Sequence, residues 1–218
     1  MLSLKVARKK RHTQEKSSHR LRKLWLILPL AAMLAGVYLL LLVFAPAYNA
    51  PAPSTSSQNN WNKPVPRTEL TEQRLYIPRL SLNLLYADEQ RALREGLWHR
   101  FPERGDPEDG NFILAGHRFE IGLTPGETKR RSPLYHIDKI QAGDYIYADF
   151  NGKRYQYEVT RKYKVKPKQT EIEEPSSVAK MTLYTCTLKG EADGREVLEA
   201  KLIKDNVDPT DALALRKD

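Results

Sequence analysis

Met181-Thr182-Leu183-Tyr184-Thr185-Cys186-Thr187-Leu188, with Arg195 nine residues after the cysteine, is the stretch on which the reading of this chain turns. Met181 to Thr187 is rich in β-branched and aromatic residues, and Glu196 to Lys204 alternates apolar with polar, so both are predicted strands. The turn-forming run Lys189-Gly190-Glu191-Ala192-Asp193-Gly194 joins them. Cys186 then ends one strand and Arg195 opens the next. If the strands are neighbours, a thiol and a guanidinium face each other across a short loop, where an Arg lowers a thiol pKa. The alternative at this point is an inert core thiol, since free cysteine is among the most buried residue types.

Cys186 is the only cysteine in 218 residues, so the chain makes no internal disulfide. A lone thiol on an exported protein is buried, paired with another chain, or kept for its reactivity. Export itself is read from the N-terminal end. Residues 1–23 carry nine Lys or Arg against Glu15 alone, and Leu24 to Ala47 is uncharged and dominated by Leu, Ala, Val and Ile. Roughly 20 apolar residues at about 1.5 Å each span a hydrocarbon core, so 24–47 is a predicted transmembrane helix. Pro29 falls in its first turns, and Trp25 and Tyr48 stand at its ends as interfacial aromatics. The basic flank marks the cytoplasmic side and sends the rest of the chain outward. A cleaved signal peptide is the competing reading, because Ala45-Pro46-Ala47 and Ala50-Pro51-Ala52 space small residues suitably, but the apolar run is longer than an ordinary signal core.

The formal charge of +9 invites a nucleic-acid partner, and its distribution excludes one. The tail accounts for +8, leaving 27 basic and 26 acidic side chains, or +1, on the other 195 residues. A nearly neutral body has no electrostatic footprint for a phosphate backbone.

Residues 48–70 are Pro, Ser, Asn and Gln with little apolar content and read as a flexible extracellular linker. The folded domain is expected over 71–205, with 206–218 as a C-terminal tail. Leu75 to Pro78 and Leu82 to Tyr86 are predicted short strands about a turn at Arg79–Ser81. Asp88 to Gly96 fits one short helix with Asp88 as N-cap and Gly96 as stop. Phe101 to Gly110 is a polar loop leading to the strand Phe112-Ile113-Leu114-Ala115, which ends at Gly116-His117. A histidine directly after a buried strand is held by the sheet yet open to solvent, and Gly116 would let backbone or substrate approach. His99 and His136 read as surface or satisfied core residues. Asp144 to Phe150 and Lys153 to Val165 flank Asn151-Gly152, the strongest short-range hairpin signal. Lys166 to Ala179 is a long connection back to the cysteine strand, and long loops in compact domains are often functional. About seven or eight short strands with one or two short helices argue an all-β closed sheet. No Gly-rich phosphate loop or metal-ligand spacing such as His-Glu-x-x-His is present.

Thr-Leu-x-Thr-Cys with an Arg nine residues on, together with Ala115-Gly116-His117-Arg118 upstream, resembles the signature of the sortases, membrane-anchored cysteine transpeptidases of Gram-positive-type bacteria. The resemblance covers roughly Leu75 to Lys204. It implies a sortase-type β-barrel opened by the Ile-Pro strand, a short helical turn over Ser132 to Ile140, and a groove wall formed by Lys166 to Ala179. It also implies a thiol hydrolase and acyltransferase acting at the cell wall without a cofactor. Its substrates would be secreted proteins bearing a Leu-Pro-x-Thr-Gly- or Leu-Ala-x-Thr-Gly-like sorting signal, and its acceptor an amine of peptidoglycan precursor or pilin. Cys186 would be the nucleophile, His117 the acid and base, Arg195 the oxyanion and backbone anchor, and Thr185 a substrate contact. Ala-Gly-His-Arg and Pro133-Leu134-Tyr135 look closest to class E or the class D- and F-like housekeeping types. Class E members tend to carry a Tyr soon after the His-Arg pair, and Phe119-Glu120-Ile121 stands here instead. Some sortases hold calcium; Glu171, Glu173 and Glu174 could meet Glu103, Asp106, Glu108 or Asp109 to do so, although they read as a solvated acidic loop. Two other functions remain open from the sequence: an L,D-transpeptidase-like wall enzyme, which expects Ser-His-Gly-Cys where Tyr184-Thr185 precede Cys186, and a non-catalytic membrane-tethered β-domain with Cys186 buried.

Overall fold

The structure, a computed structural model, describes residues 27–49, 72–205 and 207. The basic tail 1–23, the linker over 50–70 and the C-terminal tail 206–218, apart from Val207, lie outside the described residues. The chain divides into two compact units, Met1–Val43 and Phe44–Asp218.

Helix α1 runs over Ile27–Phe44, is long and apolar enough to cross a membrane by length and composition, and presents its apolar side chains outward, Leu28, Met33 and Leu34 among them. Its 18 residues span about 27 Å at ~1.5 Å per residue, close to the thickness of a hydrocarbon core.

The second unit is a closed eight-stranded barrel. Its strands are β1 (Arg74–Ile77), β2 (Leu82–Ala87), β3 (Leu97–Arg100), β4 (Asn111–Gly116), β5 (Tyr145–Phe150), β6 (Lys153–Val165), β7 (Lys180–Thr187) and β8 (Gly190–Lys204). They pair in the order β1-β2-β3-β4-β7-β8-β6-β5, and β5 closes onto β1. The pairs β2–β3 and β4–β7 are parallel and the other six antiparallel. The all-β barrel expected from strand spacing is thus the fold.

Side-chain alternation splits each central strand between two apolar clusters. Phe112, Leu114, Met181, Leu183, Leu198 and Ala200 face inward into the main core. Ile113, Ala115, Tyr184 and Val197, on the opposite face of β4, β7 and β8, form a second cluster with Ile172. That residue belongs to a 3-10 turn, Glu171–Glu173, in the long β6–β7 connection, which thus lies over the outer face.

The hairpin of β5 and β6 turns at Asn151-Gly152 as expected, with φ of 49° and 77°, as a type I′ turn demands. Four local readings are corrected. Asp88 to Gly96 is a 3-10 turn, Gln90–Arg94, behind Glu89, and Asp88 instead holds the Nδ1 of buried His99 at 2.8 Å. β3 follows at Leu97, where no strand was expected, because four residues sharing Trp, His and Arg show too short an alternation. Helix α2 (Pro125–Arg131) was also unforeseen, although Thr124 accepts from the Glu127 N–H, Pro125 opens the helix and the Glu127 carboxylate accepts from the Leu123 N–H. Finally, β8 begins at Gly190, not Glu196; the hairpin turns tightly at Leu188-Lys189, with a register shift between Cys186 and Thr187.

Candidate active site

Three strands bring the sequence-predicted residues together. β4 and β7 run parallel with Gly116 opposite Thr185, so His117 leaves β4 where Cys186 follows Thr185. On the other side β7 and β8 are antiparallel, with Thr185 opposite Glu196 and Cys186 opposite Arg195. Cys186 is therefore flanked by the end of the histidine strand and by Arg195, at one end of the barrel. Cys186 and Arg195 share the outward parity of Tyr184 and Val197, and His117 takes the next such position after Ile113 and Ala115. All three border the second apolar cluster.

Cys186 is a free thiol, half-buried. Burial pushes its pKa up, the Arg195 charge pulls it down, and exposed Glu191 pushes it up again; the net direction is up. The lowering influence expected from Arg195 is present but outweighed by desolvation. Arg195 itself is turned toward the hairpin, donating from Nη1 to the carbonyl oxygens of Glu191 at 2.9 Å and Gly194 at 3.2 Å, with the Glu191 carboxylate 3.4 Å from Nη2. Just before it, Gly194 has φ of 152° and lies so close to β6 that a Cβ would sit 2.4 Å from the Val165 carbonyl oxygen. Only glycine lets β8 carry Arg195 this close to β6.

His117 is about one-third exposed, and its Nε2 lies 2.7 Å from Glu120 Oε2. Glu120 is tied in turn to α2 through Arg131 at 3.2 Å and through a hydrogen bond from its own N–H to Ser132 Oγ. The expectation that Gly116 admits a substrate is corrected: a Cβ there would strike the Leu97 and Leu134 side chains at 2.6 and 2.8 Å, so the glycine serves inner packing.

Arg118 is 3% exposed, and its guanidinium donates to Glu196 Oε2 at 2.5 Å and Asp138 Oδ1 at 2.8 Å. Its charge is enclosed, which leaves Arg195 as the guanidinium beside the thiol. Thr185 is 1% exposed with inward parity, and its buried Oγ1 has no hydrogen-bond partner among the described residues. The acidic residues considered for calcium do not converge. Glu173 accepts from Tyr184 Oη at 2.5 Å and pairs with Arg100 at 3.0 Å, Glu108 pairs with Lys153 at 2.7 Å, and Asp106 caps the Glu108 and Asp109 N–H groups. Among the described residues no group of three or more His, Cys, Asp or Glu could hold a metal ion.

The sortase-domain family model matches residues 75–203. Among solved structures, a Clostridium perfringens sortase D5 transpeptidase is 26% identical, with 61% of this chain and 79% of that one covered at a TM-score of 0.50. Listeria monocytogenes sortase A is 24% identical, with 62% and 88% covered and a TM-score of 0.51. Streptococcus pneumoniae sortase C-3 is 24% identical, with 66% and 69% covered and a TM-score of 0.53. A search of curated proteins gives no match. These structures come from three sortase classes and select none of them. Because the matched domain takes in more than half of the 218 residues and the barrel is shared across those classes, the chain belongs to the sortase family of transpeptidases.

Proposed function

We propose that the protein is a membrane-anchored cysteine transpeptidase. It cleaves a Leu-Pro-x-Thr-Gly- or Leu-Ala-x-Thr-Gly-like sorting signal at Thr–Gly and joins the released carboxyl to an amine of cell-wall precursor or pilin. The observation that carries this reading is the register across β4, β7 and β8, which flanks Cys186 with His117 on one side and Arg195 on the other. The Cys186 thiolate attacks the Thr carbonyl carbon. His117 gives a proton to the departing Gly nitrogen as the C–N bond breaks, leaving a thioacyl enzyme. The acceptor amine then loses a proton to His117 and attacks the thioester, releasing the thiolate. Arg195 balances the developing oxyanion. With burial raising its pKa, Cys186 is mostly thiol at neutral pH, and the reactive thiolate is the minority form. The anchor is α1, with residues 1–23 cytoplasmic and the barrel outside the cell, as the positive charge of that tail directs.

The test is intact-mass analysis of the full chain in detergent with a panel of sorting peptides. A thioacyl adduct is expected, and Cys186→Ala should abolish it. His117→Ala should keep an alkylatable thiol and lose turnover. If no peptide forms an adduct or protects Cys186 from alkylation, the non-catalytic binding domain becomes the better reading.

A further inference from the structure

Each of the three proposed site residues has an immediate chain neighbour facing the barrel interior: Arg118 beside His117, Thr185 beside Cys186, and Glu196 beside Arg195. These inner neighbours meet. Gly116, Thr185 and Glu196 stand in register across β4, β7 and β8. Arg118 reaches from the end of β4 to Glu196 on β8, two strands away. β4 and β8 share no ladder, because β7 lies between them. The Arg118–Glu196 contact is therefore a direct tie between the histidine and arginine strands that bypasses the thiol strand. Both side chains are buried, at 3% and 6% exposure. The second arm of Arg118 reaches Asp138 on the 3-10 turn Ile137–Lys139, and the Leu134 N–H just before that turn donates to the His117 carbonyl oxygen at 3.1 Å. The backbone that carries His117 is thus held from two directions.

We propose that the buried Arg118–Glu196 pair is a positioning brace that fixes the separation of His117 and Arg195 about Cys186. The inference rests on the reading of those three residues as the catalytic group. The physical reason for a brace is that the ladder is interrupted around the site. His117 follows the last residue of β4, and the β7–β8 register shifts directly after Cys186, where only the Thr187–Gly190 pair continues the ladder. A displacement of about 1 Å at a reacting group can cost roughly 10²-fold in rate. A bidentate guanidinium with two carboxylates in enclosed surroundings is suited to prevent it. A pair present only for stability would be replaceable by apolar side chains of similar volume, a swap that is often neutral or stabilising. A brace would not be replaceable in that way.

The test uses that difference. In the full chain, in detergent, Arg118→Met/Glu196→Leu should keep a thermal midpoint close to wild type. Its kcat for thioacyl formation should fall roughly 10²-fold with KM little changed, and amide exchange over residues 117–120 should accelerate. Cys186 should still be alkylated. A double variant with wild-type kcat overturns the brace. If wild type itself forms no adduct with any peptide, the functional reading fails, and amide exchange still decides the brace: unchanged protection over 117–120 in the double variant overturns it. Should the double variant not fold, Arg118→Lys and Glu196→Gln replace it. Each keeps a polar partner in place, and each is expected to lower kcat with KM preserved; wild-type kcat in both overturns the proposal.

Discussion

Cys186 lies between two opposed charges on one hairpin, and that opposition can be read by titration. Arg195 draws its pKa down while Glu191 pushes it up, beneath a larger upward push from burial. Glu191→Gln removes a negative charge near the thiolate and frees the Arg195 guanidinium from its carboxylate partner, so the pH of half-maximal alkylation should fall. Arg195→Gln removes the favourable charge, and that midpoint should rise. Arg195→Lys separates charge from shape: the alkylation midpoint should stay near wild type, while peptide turnover drops roughly 10²-fold because an ammonium lacks the planar fork. Equal turnover for Arg195→Lys and wild type would remove Arg195 from the oxyanion role. Cys186, His117 and Arg195 stand out in the sequence because they fall in spaced motifs. Which face each neighbour takes does not. The Thr185 hydroxyl is enclosed on the inner side, and the place of Arg118 inside the barrel depends on a pairing with Glu196, 78 residues away.

The β6–β7 connection shows how an element without regular structure is held over the site. Asn111, fully buried at the start of β4, donates from Nδ2 to the carbonyl oxygens of Ile172 at 3.2 Å and Glu174 at 2.8 Å, and its Oδ1 accepts from Thr182 Oγ1 at 2.7 Å. Ile172 is sunk in the outer cluster, and Glu173 is pinned by Tyr184 and Arg100. Asn111→Ala removes three hydrogen bonds, two of them buried. It should destabilise the barrel by about 1–3 kcal/mol in urea unfolding and speed amide exchange over 170–175 ahead of the strands. If the segment is the groove wall, KM for the sorting peptide should rise more than kcat falls; an unchanged KM would dissociate the connection from substrate binding. At this scale legibility followed local chemistry. The Asn151-Gly152 hairpin was plain because its φ values are written in two residues. The long connection is visible as a gap between strands, but its anchoring is not, because anchors such as Asn111 and Arg100 lie on other strands far upstream. Helix α2 escaped because it buries only Thr128, so no apolar period announced it.

For the molecule as a whole, closure is what the sequence could suggest only by counting strands. Each described strand of the barrel has two neighbours, so none presents a free edge, and closure rests on β1–β5 pairing across some 70 residues. The two parallel pairings, β2–β3 and β4–β7, were not legible, since no turn signal specifies a partner reached by a crossover. Yet β4–β7 is the pairing that sets His117 beside Cys186. The two apolar clusters of the barrel are built from Leu75 to Leu202, within the 75–203 match. Burial of that apolar surface is the main stabilising contribution to a domain of this size. A chain begun at Gln58 should therefore unfold in one cooperative transition and retain the kcat of the full chain on a soluble sorting peptide, because His117, Cys186 and Arg195 are all held by barrel strands. Calorimetry and peptide-cleavage kinetics on the two forms check this. A broad, non-cooperative transition in the shortened chain would mean that residues before Gln58 contribute to the fold, and a sharp transition with lost turnover would mean that the anchor acts on the site itself.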